Sequence, residues 1–394
     1  MPPLLLLTHR YPYPPNRGDR IRSYNLLRVL AQHYSVTLAC PHDEPVTDQQ
    51  LNHVKQLTDR VITFPQTKAK WLNAGTRFVS GRSITEGVFF NRKVANQIIQ
   101  QHQSRPFEAA VVFCSSMYPY VENKPFDNLT KVVDLVDVDS KKWQQLSDEA
   151  SGAKRAIYRR EYKTVRKLEQ QIADQADAVV LVSEDEAKVF RQEVPGRAPV
   201  YGISNGVDTE FFQPPKAARS DRTAACKLVF TGVMDYTPNV EGMLWFCKEI
   251  FPGVHAQTNA TLTIVGRRPV AAIEQLSEQP GVEVTGEVPD VRPFLEEADI
   301  GVSPLKLARG IQNKVLEAMA SGLPVITTQE AAEGIDGKHG SEFLIADTVS
   351  QWQESLQALS ADPKQRSQIG QTARNKVQAH YGWHAKLSPI LDLL

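Results

Sequence analysis

The sequence predicts an α/β protein built from two doubly wound, mainly parallel sheets in tandem. Short apolar, β-branched runs alternate with helical patterns from end to end, the arrangement that layers helices on both faces of a parallel sheet. At 394 residues the chain is too long for one ordinary core, so two domains of somewhat under two hundred residues are expected. A polar stretch at 205–222, with Gly206, Pro214 and Pro215, then separates one α/β series from a second. These observations give two Rossmann-like domains, residues 1–204 and 205–382, each presenting the carboxyl ends of its strands to a common cleft, where such folds bind ligands.

In the first half the strand candidates are 4–8, 36–39, 61–64, 109–114, 131–136, 178–182 and 200–203, with helices fitting between most of them. The longest helical pattern, 140–173, exceeds the usual globular length and is expected to break into two helices near Ser151 and Gly152. In the second half the strands are 228–231, 261–265, 282–285, 300–303, 325–328 and 343–345, interleaved with helices such as 240–249 and 270–278. The tail from Pro363 is helical in pattern, with breaks near Gly382 and Pro389.

Lysine plus arginine equals aspartate plus glutamate, 45 against 45, which argues against a nucleic-acid binder held by its net field. Cys40, Cys114, Cys226 and Cys247 are scattered without metal spacing, as buried thiols in a reducing cytosol would be. The leucine run at 4–7 has no basic residues before it and reads as the first strand rather than a secretory leader. No stretch reaches the length needed to span a bilayer, so a cytosolic chain is expected, peripheral to the inner membrane face at most.

The segment 309–328, RGIQNKVLEAMASGLPVITT, reads as a loop, a short helix and a buried strand. Gly310 keeps the backbone open, Asn313 is an acceptable N-cap, Leu316, Met319 and Ala320 repeat at helical spacing, and Gly322 ends the helix. Such a helix start offers unpaired N–H groups and partial positive charge to a phosphate, and Lys314 adds a formal charge. One turn in, Glu317 is placed to grip the hydroxyls of a sugar attached to that phosphate.

Several strings together resemble the glycosyltransferases of the GT-B fold, most closely the retaining group known as family 4. They are ISNGVD at 203–208, FTGVMDYTPNVEGMLWF at 230–246, TIVGRRP at 263–269, VTGEVPDV at 284–291 and the segment at 309–328, in the family's order. Within that group, THRYPYPPNRGDRIRS and VVDLVDVDSKKW resemble bacterial sugar transferases of exopolysaccharide export systems.

The resemblance assigns roles. Glu317 matches the glutamate that accepts hydrogen bonds from the donor ribose, and Lys314, Gly310, Asn313 and Val315 match positions around the diphosphate. Gly232, Asn239 and Arg267 lie in the other donor-side strings. Arg309 stands where the family has its first, sugar-facing glutamate, and an arginine there would clamp phosphate instead. Arg17 and Gly18 lie in a thinned version of the glycine-rich loop over the donor phosphates, with Arg20 and Arg22 adding positive charge; Asp19 is expected to cap the following helix. The carboxyl end of the strand at 131–136 offers Asp134 and Asp137 as catalytic acids, against a helix-capping alternative, and His9 is a further candidate. The family fold returns the terminal helix, 383–394, to the first domain.

The expected function is therefore retaining transfer of a sugar from a nucleotide-diphosphate donor, as co-substrate, to a glycan or lipid-linked acceptor in polysaccharide biosynthesis. Neither a metal nor a further cofactor is implied, although Asp137 and Asp139 are spaced like a metal-binding pair. Two readings remain open for the basic run at 154–167: a helix lying on anionic lipid, or one packed by Ile157, Tyr158, Tyr162, Val165 and Leu168 with a solvated basic face. The rival functions are a nucleotide-sugar 2-epimerase of the same architecture and a non-catalytic nucleotide-sugar-binding subunit.

Overall fold

The computed structural model describes residues 1–68, 70–215, 225–308 and 311–394. The chain forms two compact units, one of Met1–Asn205 with Lys386–Leu394 and the other of Gly206–Ala385.

The first unit holds seven parallel strands: β1 (Pro3–Thr8), β2 (Ser35–His42), β3 (Arg60–Pro65), β4 (Ala109–Phe113), β5 (Thr130–Val136), β6 (Ala178–Leu181) and β7 (Val200–Gly202). Their order is β3-β2-β1-β4-β5-β6-β7, which reverses direction between β1 and β4. Leu4 to Leu7 of β1 are fully buried because helices cover both faces, and this is why the strand reads as a continuous apolar run rather than an alternating one. Leu5 and Leu7 pack with Ala110, Val112 and Val133 of the neighbouring strands on one face.

The second unit repeats the pattern with β8 (Lys227–Thr231), β9 (Thr261–Val265), β10 (Val282–Gly286), β11 (Ile300–Ser303), β12 (Val325–Thr327) and β13 (Leu344–Ile345), ordered β10-β9-β8-β11-β12-β13. Its direction reverses between β8 and β11, the place where a doubly wound sheet opens a crevice. The α/β class and the two-sheet architecture are as the sequence led us to expect, and every strand candidate is present, with bounds within one residue except at β2, which runs three residues past the expected end to His42.

The long helical pattern does break where expected: helices Asp139–Glu149 and Gly152–Gln175 meet at Gly152, whose φ of 59° is a conformation glycine tolerates. The helix expected at 240–249 is longer. It starts at Thr237, widens to a π turn at Phe246–Ile250 and continues as Phe251–Thr258. Pro252 explains the wide turn, since it has no N–H for the preceding turn's carbonyl and its ring crowds that oxygen.

The helix Gly152–Gln175 also differs from expectation. Ile157 is 47% exposed, whereas Glu161 is fully buried and accepts from the amides of Ile84 and Thr85 at 2.9 and 2.8 Å. That carboxylate supplements the capping box of Ser83 and Glu86 at the start of helix Ile84–Phe89. No helix among the described residues is long and apolar enough to cross a membrane.

Candidate active site

In the second unit, the ends of β8, β9 and β10 and the helix after β11 enclose a cavity of about 770 Å³. Glycine terminates each of the three strands. Gly232 donates to the Val265 carbonyl at 3.0 Å and Gly266 to the Gly286 carbonyl at 3.1 Å, so the turns stack edge to edge. A Cβ on Gly266 would lie 1.6 Å from the Gly232 oxygen, and only glycine fits. Gly286, with φ 70°, turns the chain toward Glu287 and Val288 on the cavity wall.

The helix Asn313–Ala320 forms the opposite wall. Val315, Leu316, Ala318, Met319 and Ala320 are buried, which turns Lys314 and Glu317, one turn apart, toward the cavity. Its carboxyl end closes in a Schellman turn: Leu323 donates to the Ala318 carbonyl at 3.1 Å and Gly322, φ 72°, to that of Met319 at 2.9 Å. Gly370 of helix Pro363–His380 sits against this turn so closely that a Cβ would lie 2.2 Å from the Gly322 oxygen.

Electrostatics single out the Lys314–Glu317 pair. Burial raises Glu317 to about 7, with the Lys314 charge pulling in the opposite direction. Burial likewise lowers Lys314 to about 8 against the attraction of Glu317. The ammonium donates to Asn239 Oδ1 and lies 4.7 Å from the centre of the Phe230 ring, two contacts that offset its unfavourable place in a helix first turn. Asn239, 3% exposed, is itself oriented by donation to the Val233 carbonyl at 2.8 Å.

The other donor-side candidates are placed unevenly. Gly232 and Arg267 line the cavity, Arg267 from an exposed position. Asn313 is the first helical residue rather than the N-cap; Gln312 holds that position, with no side-chain cap bond. Val315 packs in the core, and its amide is already given to the Gln312 carbonyl at 3.0 Å. Arg309 and Gly310, expected as phosphate clamp and open backbone, lie outside the described residues.

In the first unit, His9, Cys114 and Asp137 follow β1, β4 and β5 around the strand-order reversal. His9 Nε2 lies 3.3 Å from Asp19 Oδ2, its ring stacks on Phe113 at 5.7 Å, and its Nδ1 is buried with no partner among the described residues. Asp19 is held down at about 2, first by the hydrogen bond with His9 and then, against burial, by the charges of His9 and Arg10. Asp137 and Asp139 share Lys142 Nζ at 2.7 and 3.7 Å, and burial raises Asp139 above the usual carboxylate range. Cys114 and Val136 hold φ of 73° and 70°, the latter as the centre of a γ-turn closed by Asp137 donating to the Leu135 carbonyl at 2.9 Å. A β-branched residue in that region is strained, and the strain sits where the strand ends.

Asp134 differs from its expected role. It has no exposed surface: one oxygen takes Arg22 Nε at 2.8 Å and the other the Val136 amide at 3.1 Å, so both oxygens are engaged within the protein and tie helix Gly18–Leu30 to the sheet. The expected positive edge is also neutralised. Arg17 pairs with Glu44 at 2.8 Å, and Arg20 with Asp43 at 2.9 Å and Glu44 at 3.3 Å. Gly18 is the first helical residue with no protein atom within 4 Å of a Cβ, so no contact within the protein requires a glycine there, and Asp19 lies inside the first turn rather than at the N-cap, which is Arg17.

Sequence reasoning passed over Gly266 and Gly286 as site residues, although a glycine immediately after three successive strand candidates was the available signal. It also passed over Phe230, whose ring beneath Lys314 becomes visible only once β8 and the helix are adjacent.

Residues 225–362, which contain the cavity, match the family described as "Glycosyl transferases group 1". A protein of Klebsiella pneumoniae described as an uncharacterized 44.6 kDa protein in the cps region is 20% identical over 402 residues, covering 97% of each chain. The sucrose-phosphate synthase of Thermosynechococcus elongatus superposes with a TM-score of 0.59 at 17% identity, over 100% of this chain and 98% of that one. Anabaena HepE, solved with UDP-glucose, superposes with a TM-score of 0.57 at 13% identity over 100% of both chains. Residues 225–362 thus match a glycosyltransferase group 1 domain, and the chain as a whole shares the GT-B fold of these solved structures.

Proposed function

We propose that the protein is a retaining glycosyltransferase that moves a sugar from a nucleotide-diphosphate sugar to a glycan or lipid-linked acceptor in polysaccharide synthesis. The observation that carries this reading is the Lys314–Glu317 pair on the wall of the glycine-floored cavity, within the segment that matches the group 1 transferases. Glu317 as carboxylate accepts from the two ribose hydroxyls, a task for a two-oxygen acceptor. Lys314 and the amides at the start of its helix hold the diphosphate and stabilise the charge that grows there as the sugar leaves. Val288 and Val291 supply an apolar wall for the base. In the first unit, His9 and Asp137 are the groups assigned to the acceptor. No metal takes part in this reading. The cps-region relative supports polysaccharide as the product class, and the UDP-glucose complex of HepE makes uridine donors the first to test.

A thermal-shift screen across UDP-, GDP- and ADP-sugars identifies the donor, since a ligand at a hundred times its dissociation constant stabilises by about 2.7 kcal/mol. Incubation of that donor with a membrane extract should then release nucleoside diphosphate. Formation of an epimer from donor alone replaces transfer with epimerisation. Binding without release, together with a silent Glu317→Ala in cells, leaves a non-catalytic binding subunit.

A further inference from the structure

We propose that the first unit docks on an anionic lipid surface through helix Lys70–Val79 and the basic helix beside it. The helix Lys70–Val79 is amphipathic, yet its apolar face points away from the protein. Trp71, Leu72, Phe78 and Val79 share one face around Gly75 and are 62%, 75%, 39% and 87% exposed. A surface helix ordinarily buries that face, and a contiguous exposed one marks an interaction site. The helix is instead anchored by a narrow edge: Ala74, its single buried residue, rests where Gly87 has no side chain, so close that a Cβ on Gly87 would lie 2.5 Å from the Ala74 Cα.

The charge around this face identifies what covers it. Helix Lys70–Val79 contains no acidic residue, and Lys70 Nζ lies 5.8 Å from the Trp71 ring. Arg160 places its guanidinium 3.7 Å from the centre of the Phe78 ring and donates to the Phe78 carbonyl at 2.5 Å, which joins the apolar face to helix Gly152–Gln175. On that helix Arg159, Lys163 and Lys167, spaced by four, are exposed along one side, and the ion pairs its basic residues make belong to Arg160 and Arg166. In a protein of zero formal net charge this is a local concentration of cations beside exposed tryptophan and aliphatic side chains. Apolar groups entering the acyl boundary with lysine and arginine reaching anionic headgroups is the pattern of an interfacial helix. The earlier alternative for the run at 154–167, packing by an apolar stripe, holds for Tyr158, whose ring meets that of Trp143 at 5.6 Å, and for the buried Val165 and Leu168, but not for Ile157, which faces out with the preceding turn.

The proposal stands apart from the sugar-transfer reading, and its test uses no donor. The full-length protein is sedimented with vesicles of phosphatidylcholine alone and of phosphatidylcholine mixed with phosphatidylglycerol, at low and high salt. Sedimentation with the anionic vesicles, weakened by salt, is expected. Each lysine or arginine among Arg159, Lys163 and Lys167 changed to glutamine should lower partitioning about fivefold. Leu72→Glu with Val79→Glu, both at exposed positions and checked for an unchanged melting curve, should abolish it. Equal binding to neutral vesicles, no binding to anionic ones, or indifference to these substitutions overturns the proposal. So does a dimer in solution that Leu72→Glu dissolves, which would assign the face to a second copy.

Discussion

The affinity for a nucleotide-diphosphate sugar should peak in a narrow pH window. The ribose needs Glu317 as carboxylate and the diphosphate needs Lys314 as ammonium, while burial places these groups at about 7 and about 8. The competent species, with both charged, is therefore most populated between those values. A nucleotide-diphosphate sugar has no phosphate ionisation in this range, so the dependence belongs to the protein. One unit below its pKa a carboxyl group is ionised in about one molecule in eleven, against about three molecules in five with both groups charged at the pH 7.5 maximum, so affinity at pH 6 should be about sixfold weaker than at the maximum, about 1 kcal/mol. The same arithmetic applies to Lys314 at pH 9. Calorimetric titration with UDP-glucose, or with whichever donor stabilises the protein, measures both limbs. Glu317→Gln should remove the acid limb and Lys314→Met the alkaline one, each with a lower maximum. A profile flat from pH 6 to 9, or limbs that survive in the variants, would refute the reasoning. Stability follows the same groups with a definite sign. Glu317, raised from 4.5, contributes stability below its unfolded value that is lost as pH rises through about 7. Lys314, lowered from 10.5, contributes stability above its unfolded value that is lost as pH falls through about 8. The empty site is thus least comfortable in the window where it binds best, and a ligand that satisfies both charges relieves it.

Gly266→Ala should destabilise by about 3 kcal/mol or more and remove donor stabilisation in a thermal shift, because the new methyl collides with the Gly232 carbonyl. Gly18→Ala should gain up to about 1 kcal/mol, since no protein atom opposes the added methyl; a loss of donor binding with unchanged stability would assign Gly18 to the phosphate loop. Arg22→Met leaves Asp134 buried and unpaired and should cost about 3–5 kcal/mol in thermal unfolding, with Asp134→Leu added to it recovering a part. Replacing Glu161 with Gln weakens the cap on helix Ile84–Phe89, and a drop of about 1–2 kcal/mol in the same assay is expected; no change would mean the buried carboxylate is not what holds that helix start.

What the sequence revealed and what it hid divide along sequence distance. Strands buried on both faces leave continuous apolar runs, so β1 and its neighbours were readable, as was the break at Gly152. Pairings across long separations left no local trace. Asp43 and Glu44 neutralise Arg17 and Arg20, and Asp134 absorbs Arg22 from 112 residues away, so a run that reads as a cationic edge is largely an internal network. Glu161 misled for the same reason: its partners, the amides of Ile84 and Thr85, lie 77 and 76 residues distant, and they justify burying a charge that helical periodicity assigns to solvent. At the site, Glu317 and Lys314 were visible because their helix is short and its apolar positions force them to the other face. Asn313 was misplaced by one residue, since capping preferences rank residue types without fixing where the helix begins.

Among the described residues, every wall of the glycine-floored cavity comes from between Thr231 and Glu317, all in the second unit. Under the transfer reading, the choice of nucleotide is then a property of one contiguous stretch of chain. Changes in the first unit can alter what receives the sugar while the stretch that selects the donor stays intact, and the two specificities can diverge independently among related chains.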